Sequence, residues 1–209
     1  MKVVLFGASG MIGSRVLGEL IRRGHTVIAV VRHPEKIKAE SGVSVVRGDI
    51  ADSTAVASAA KGADAAISAY APPPADSSLL PAATRSLLAG LAEAGIRRLI
   101  VVGGAGSLDV APGVQLVDTP SFPAAFKPIA LAHRDVLPVL KQSDLDWSYF
   151  SPAAFIEPGK RTGKFRLGGT RLVANDQGES KISAEDYAVA LVDELENSRH
   201  VRQQFTAAY

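Results

Sequence analysis

The chain has no cysteine among its 209 residues, which excludes disulfides, thiolate metal sites and cysteine nucleophiles. Aromatic residues make up only 6%, with one tryptophan, and no apolar run is long enough to span a membrane. The formal net charge is +2 and the basic residues are scattered, so neither nucleic acid nor a membrane surface is expected as a partner. No metal site is expected. A first strand that begins almost at Met1 leaves no room for a secretory or transit peptide, so a soluble cytoplasmic protein is expected. The length and a hydrophobic content of 47% suit one α/β domain with a sizeable core.

What the chain does have is concentrated in Lys2 to Arg32. An apolar run, Val3 to Phe6, is long enough for a buried parallel strand. Next comes Gly7-Ala8-Ser9-Gly10-Met11-Ile12-Gly13, with its glycines spaced G-x-x-G-x-x-G. Met11, Ile12, Val16, Leu17, Leu20 and Ile21 then recur at helical spacing until Gly24, and Thr26 to Val31 reads as a second buried strand. This is a βαβ unit whose glycines sit at the strand-to-helix turn. Unpaired N–H groups and the positive dipole end of the helix favour a diphosphate there, and the glycines allow a tight turn and close ligand approach. Gly7, Ser9, Gly10, Met11, Ile12 and Gly13 are therefore assigned to a dinucleotide. The second strand ends at Val31 and is followed by Arg32, at a position where a carboxylate would bind a free ribose 2′-hydroxyl. A guanidinium suits a 2′-phosphate instead, so NADP is expected in preference to NAD. Arg15 and His33 are further candidates for that phosphate.

Strands follow at Val43 to Arg47, Ala63 to Ala69, Arg97 to Val102, Leu145 to Phe150 and Gln203 to Ala208. Helices are expected after Asp52, over Leu79 to Ala94, over Ile129 to Gln142 with a kink at Pro138, and over Glu185 to Glu196. Asp49 either accepts from an adenine amino group, with Ile50 against the ring, or caps the next helix, as Asp52 also can. Ala69 and Tyr70 end the fourth strand before the loop Pro72 to Pro74, at the carboxyl edge where open α/β sheets bind ligands. Gly103 and Gly104 end the fifth strand and permit close approach to a flat ring. Ser107 is either a hydrogen-bond donor to a substrate oxygen or a turn serine. Leu108 to Pro128 reads as a loop over the site mouth, and Gly163 to Val173 as a small hairpin. The alternation gives a Rossmann-like doubly wound parallel sheet in one domain, 1–209, whose residues after about 150 form a small substrate-side lobe.

With GASGMIG at Gly7 to Gly13, DWSYFSPAAFIEPGKRTGKFRLG at Asp146 to Gly168, and GESKISAEDYAVALVDELE at Gly178 to Glu196, the chain resembles an atypical short-chain dehydrogenase/reductase. The nearest group is the NAD(P)H-binding, NmrA-like proteins described as NADH-flavin reductases, related to biliverdin reductase B. The resemblance implies a nicotinamide cofactor and leaves the substrate open. Typical members of the larger superfamily carry Tyr-x-x-x-Lys on the helix after the fifth strand. Here that helix reads Ala132-His133-Arg134-Asp135-Val136-Leu137, with His133 about where the tyrosine would be. His133 either meets the nicotinamide ribose or relays a proton, unless it is a surface histidine.

Ketone reduction by a Tyr–Lys pair is therefore not expected. Hydride transfer to a free flavin (FMN or FAD), a quinone or a similar conjugated acceptor needs no dedicated acid, because solvent can supply the proton. Gly104, Ala105, Pro152, Ala153 and Phe155 would line that pocket, with Tyr70 as a stacking wall and the Pro152–Ala153 backbone on the carboxamide. Arg161 and Lys164 are candidates for a flavin phosphate. Alternatives are a non-catalytic NADP redox sensor, or an epimerase-like enzyme or unusual ketone reductase using Tyr70 or His133. The expected partner is a small-molecule acceptor, and the chain is expected to be a monomer or homodimer.

Overall fold

A computed structural model describes residues 1–38 and 40–209. The first strand, β1 (Lys2–Phe6), shows how the sequence builds the fold. Val3 and Leu5 face one core, and Val4 and Phe6 face another, so every residue after Lys2 is buried, as a central parallel strand requires. Around it stand β2 (Thr26–Val31), β3 (Val43–Arg47), β4 (Ala65–Ser68), β5 (Arg98–Val102), β8 (Asp146–Ser151) and β12 (Gln203–Ala208). They form, with β10 (Arg166–Gly168), an eight-stranded sheet in the order β10-β12-β8-β5-β4-β1-β2-β3. All neighbours are parallel except β10, which runs antiparallel to β12.

Helices α1 (Met11–Arg22) and α5 (Ala184–Asn197) cover one face, where Val16, Leu17, Leu20, Tyr187 and Leu191 meet Val3 and Leu5. Phe150 stacks between Tyr187 and Phe205 there, with centroids 4.0 and 4.2 Å away. The other face is covered by α2 (Ser53–Ala60), α3 (Leu80–Glu93) and α4 (Lys127–Lys141), through Val56, Leu87, Leu91, Val136 and Leu140. The chain runs from β1 outward to β3 and then returns to the far side of β1 as β4. This reversal opens a crevice at the carboxyl ends of β1 and β4.

Most expected elements appear with ends shifted by a residue or two, and Thr26–Val31, Val43–Arg47 and Gln203–Ala208 match fully. Asp52 caps α2 by accepting from the N–H groups of Thr54 and Ala55, and Ser183 caps α5 through Asp186 N–H. Helix α4 runs unbroken through Pro138. The loop expected over Leu108 to Pro128 contains an antiparallel pair, β6 (Asp109–Ala111) and β7 (Val114–Gln115), and α4 already begins at its end.

One expectation is overturned. Gly163 to Val173 is not a self-paired hairpin: its single strand, β10, pairs with β12 from Arg166↔Ala208 to Gly168↔Thr206. The unpaired groups of a sheet edge offer a ladder that two short arms separated by Gly168-Gly169 cannot match. The segment after residue 150 also divides. β9 (Phe155–Glu157) and β11 (Lys181–Ser183) form a separate two-stranded sheet, while β10, α5 and β12 complete the main layers.

Candidate functional site

The glycine loop is held by contacts that only glycine permits. Gly7 adopts φ +81°, and a Cβ there would lie 2.6 Å from the carbonyl oxygen of Ala69. A Cβ on Gly13 would lie 2.0 Å from the carbonyl oxygen of Gly7, so α1 starts directly against the β1 turn. Gly10, the residue before α1, supplies no side-chain cap. The first-turn N–H groups and the positive end of the helix dipole are thus left for an anion.

Over this loop lies a cavity of about 870 Å³. Its walls come from the carboxyl ends of six adjacent strands, β3, β2, β1, β4, β5 and β8. At roughly 4.8 Å per strand, it extends about 24 Å along the sheet edge. Gly7, Ser9, Gly10, Met11 and Ile12 line it from the β1 turn and the start of α1, and Arg32, Asp49 and Ile50 line one end. Ala69, Tyr70, Gly103 and Gly104 lead toward Pro152, Ala153 and Phe155 at the other. Of the residues assigned to the cofactor, Gly13 alone lies outside the lining, packed behind the loop it supports.

The basic candidates separate. Arg32 is exposed in the cavity wall and has no ion pair among the described residues. Arg15 is committed to Glu185 at 3.1 Å, and His33 to Glu35 at 3.1 Å. Arg161 and Lys164 do not line the cavity. Arg161 donates Nε–H and Nη2–H, both at 2.8 Å, to the buried carboxylate of Glu19. Those bonds, with Arg23, hold Glu19 down at about 2. Asp49 is both a wall of the cavity and a turn residue, its Oδ1 accepting from Ala51 N–H at 3.0 Å.

Tyr70 and His133, two of the three catalytic candidates, line the cavity; Ser107 does not. Ser107 is 2% exposed, and its Oγ donates to Gly104 O at 3.0 Å while accepting from Gln204 Nε2 at 2.9 Å. That hydroxyl ties the β5 turn to β12, the turn-serine alternative. Partial burial pushes the Tyr70 phenol up, against the opposing pull of Arg32, so it is protonated near neutrality. Desolvation holds His133 down at about 4, leaving a neutral imidazole whose buried Nδ1 has no hydrogen-bond partner among the described residues.

Tyr149 was not singled out from the sequence, yet it locates both His133 and Gly104. Its hydroxyl donates to His133 O at 2.7 Å and accepts from Gly104 N–H at 3.2 Å, joining α4 to the β5 turn. The available signal was a tyrosine inside an otherwise buried strand, since a buried phenol needs a partner. Leu116, Phe122, Phe126 and Ile129 were also missed as cavity walls, because only the path of the loop before α4, and the first turn of α4 itself, bring them there. Among the described residues, no His, Cys, Asp and Glu cluster could hold a metal ion. No helix of the described residues is long and apolar enough to cross a membrane.

An NAD(P) group fits these residues. The Gly7 turn would be filled by a Cβ, the helix start is uncapped, and Arg32 stands in the cavity wall. Comparison with known proteins agrees. Residues 7–198 match the family described as NAD(P)H-binding. A Burkholderia pseudomallei structure, provisionally described as an exported protein, is 51% identical, with both chains covered over 100% and a TM-score of 0.92. A Bacteroides thetaiotaomicron structure, provisionally described as an epimerase, is 43% identical, covering 100% of this chain and 96% of that one, with a TM-score of 0.94. A Streptococcus pneumoniae structure, provisionally described as an NADH-flavin reductase, is 36% identical over 100% and 99% of the two chains, with a TM-score of 0.88.

Proposed function

This chain belongs to the NAD(P)H-binding, NmrA-like family of atypical short-chain dehydrogenases/reductases, and from that premise we propose that it is an NADPH-dependent reductase of a conjugated acceptor, a free flavin or quinone. The observation that carries this reading is one continuous cavity, with Arg32 at one end, the uncapped α1 in the middle and an apolar wall at the other end. When bound, the dihydronicotinamide supplies a hydride to the acceptor, and solvent supplies the proton.

The chain's own residues bind and orient. Ser9 and the first-turn N–H groups of α1 hold the diphosphate, and Arg32 holds the 2′-phosphate. Asp49 and Ile50 meet the adenine, while Gly103, Gly104, Pro152 and Ala153 admit and hold the flat ring. His133, a cavity wall beside Gly104, meets the ribose. Phe155 and Tyr70 wall off water on the acceptor side, where positioning lowers the barrier. The same reading expects a small-molecule acceptor, a monomer or homodimer, and a cytoplasmic setting.

A second reading, a sensor of the NADP redox state, is favoured by the lack of a Tyr-x-x-x-Lys pair on α4. Steady-state oxidation of NADPH with FMN, riboflavin and a quinone, with NADH run in parallel, separates the two. Turnover well above the protein-free rate supports the reductase. Tight NADPH binding with no turnover supports the sensor, and no binding of either nucleotide overturns both.

A further inference from the structure

The charges that line the cavity are segregated. Among the described residues its charged side chains are Arg32 and Asp49, both just at the ends of β2 and β3. The opposite end is framed by Met11, Leu116, Phe122, Phe126, Phe155 and Ile156, none of which bears a charge. Met11 is 41% exposed, Phe126 63% and Phe155 67%. They come from three separate segments: the start of α1, the turn before α4, and β9. Single exposed apolar side chains are ordinary, but large ones converging on one cavity mouth mark a surface that a ligand covers.

The neighbouring cations do not relieve that apolar character. Arg134 is spent on Asp118, at 3.1 and 3.2 Å, and Arg161 on Glu19. Lys127 follows Phe126 in the chain but does not line the cavity. A phosphate placed among these side chains would lose its hydration without gaining a partner.

We propose that this end of the cavity is the acceptor subsite, and that it recognises an uncharged, planar conjugated ring by apolar contact, with no place for a phosphate. The inference rests on the reductase reading for its chemistry but not for its binding. Riboflavin and FMN test it, because they share the reacting ring and differ by the phosphate. With NADPH saturating, kcat/KM for riboflavin should equal or exceed that for FMN, and the ratio should not respond to salt. FMN ahead by about threefold or more, with a lead that shrinks as salt rises, would show a cation capturing the phosphate and overturn the proposal.

Phe126→Ser provides a second measurement on a side chain exposed enough not to hold the fold. It should raise the riboflavin KM about tenfold, the effect of losing apolar contact with one aromatic ring, and leave the Kd for NADPH within about twofold. An unchanged KM would overturn the subsite. Where no acceptor turns over, riboflavin fluorescence quenching on NADP-saturated protein keeps the two ideas apart. Riboflavin bound at least as tightly as FMN supports the subsite while the reductase reading falls. Tighter FMN binding, or binding of neither, overturns the subsite.

Discussion

Arg32→Ala is the sharpest perturbation of the proposed cofactor site. Arg32 follows β2 directly and stands in the cavity wall, and no carboxylate among the described residues forms an ion pair with its guanidinium. A hydrogen bond to a charged group contributes about 1.5–3 kcal/mol. Because Arg32 is exposed, water and salt screen the interaction, and the lower half of that range applies. At about 1.4 kcal/mol per tenfold, the Kd for NADPH should rise about tenfold to fortyfold. NADH has no 2′-phosphate, so its Kd should stay within about twofold. Titration of dihydronicotinamide fluorescence for both nucleotides, on wild type and variant, reads this directly. The wild-type preference for NADPH should also shrink as ionic strength rises. Equal losses for NADPH and NADH would refute the reasoning, since they would show Arg32 supporting the fold or the shared half of the cofactor.

Gly13→Ala places a Cβ against the backbone of Gly7, which cannot yield cheaply, so α1 must shift off the loop. Urea denaturation should show a loss of about 1–3 kcal/mol, with NADPH affinity falling at least about tenfold. Gly18→Ala, on the same helix with nothing within 4 Å of its added Cβ, should instead stabilise by about 1 kcal/mol and leave binding unchanged. His133 has a folded pKa of about 4 against an ordinary 6.5, so the unfolded chain binds more protons between those values. Its contribution to stability is present above pH 6.5 and is lost as pH falls toward 4. Tm against pH should therefore rise less steeply through that window in His133→Gln, and an unchanged slope would contradict the neutral imidazole. Asp186 is fully buried and accepts from Thr162 N–H and Oγ–H, Gly163 N–H and Tyr209 Oη–H, at 2.6–2.9 Å. Asp186→Ala should cost about 3 kcal/mol or more in urea denaturation, because those donors lose a shared charged acceptor.

The βαβ unit from β1 to β2 was fully legible because its signals are local. An apolar strand, a glycine turn and a 3.6-residue repeat lie within one stretch, and each needs only its immediate neighbours. Arg32 and Asp49 were readable for the same reason, since the end of a strand in a parallel sheet defines the edge it faces. Tyr70 and His133 could be placed near the cofactor only by analogy of position, and both line the cavity. Ser107 carried the same kind of signal, and its distant partner Gln204 decided where the hydroxyl points.

By itself, then, the sequence determined the parallel sheet, the glycine turn and the absence of cysteine and of a Tyr-x-x-x-Lys motif on α4, all properties of residue type and short-range spacing. Only the tertiary structure decided that β10 joins the sheet edge rather than folding on itself. It alone decided that Arg161 answers Glu19 and not a ligand, and that Tyr149 holds His133 in place. It also brought Met11, Phe126 and Phe155 to one mouth. Each of these depends on contacts between residues far apart in the chain. Which side chain satisfies which donor, and which apolar surface stays exposed, follows from how the layers close over the sheet.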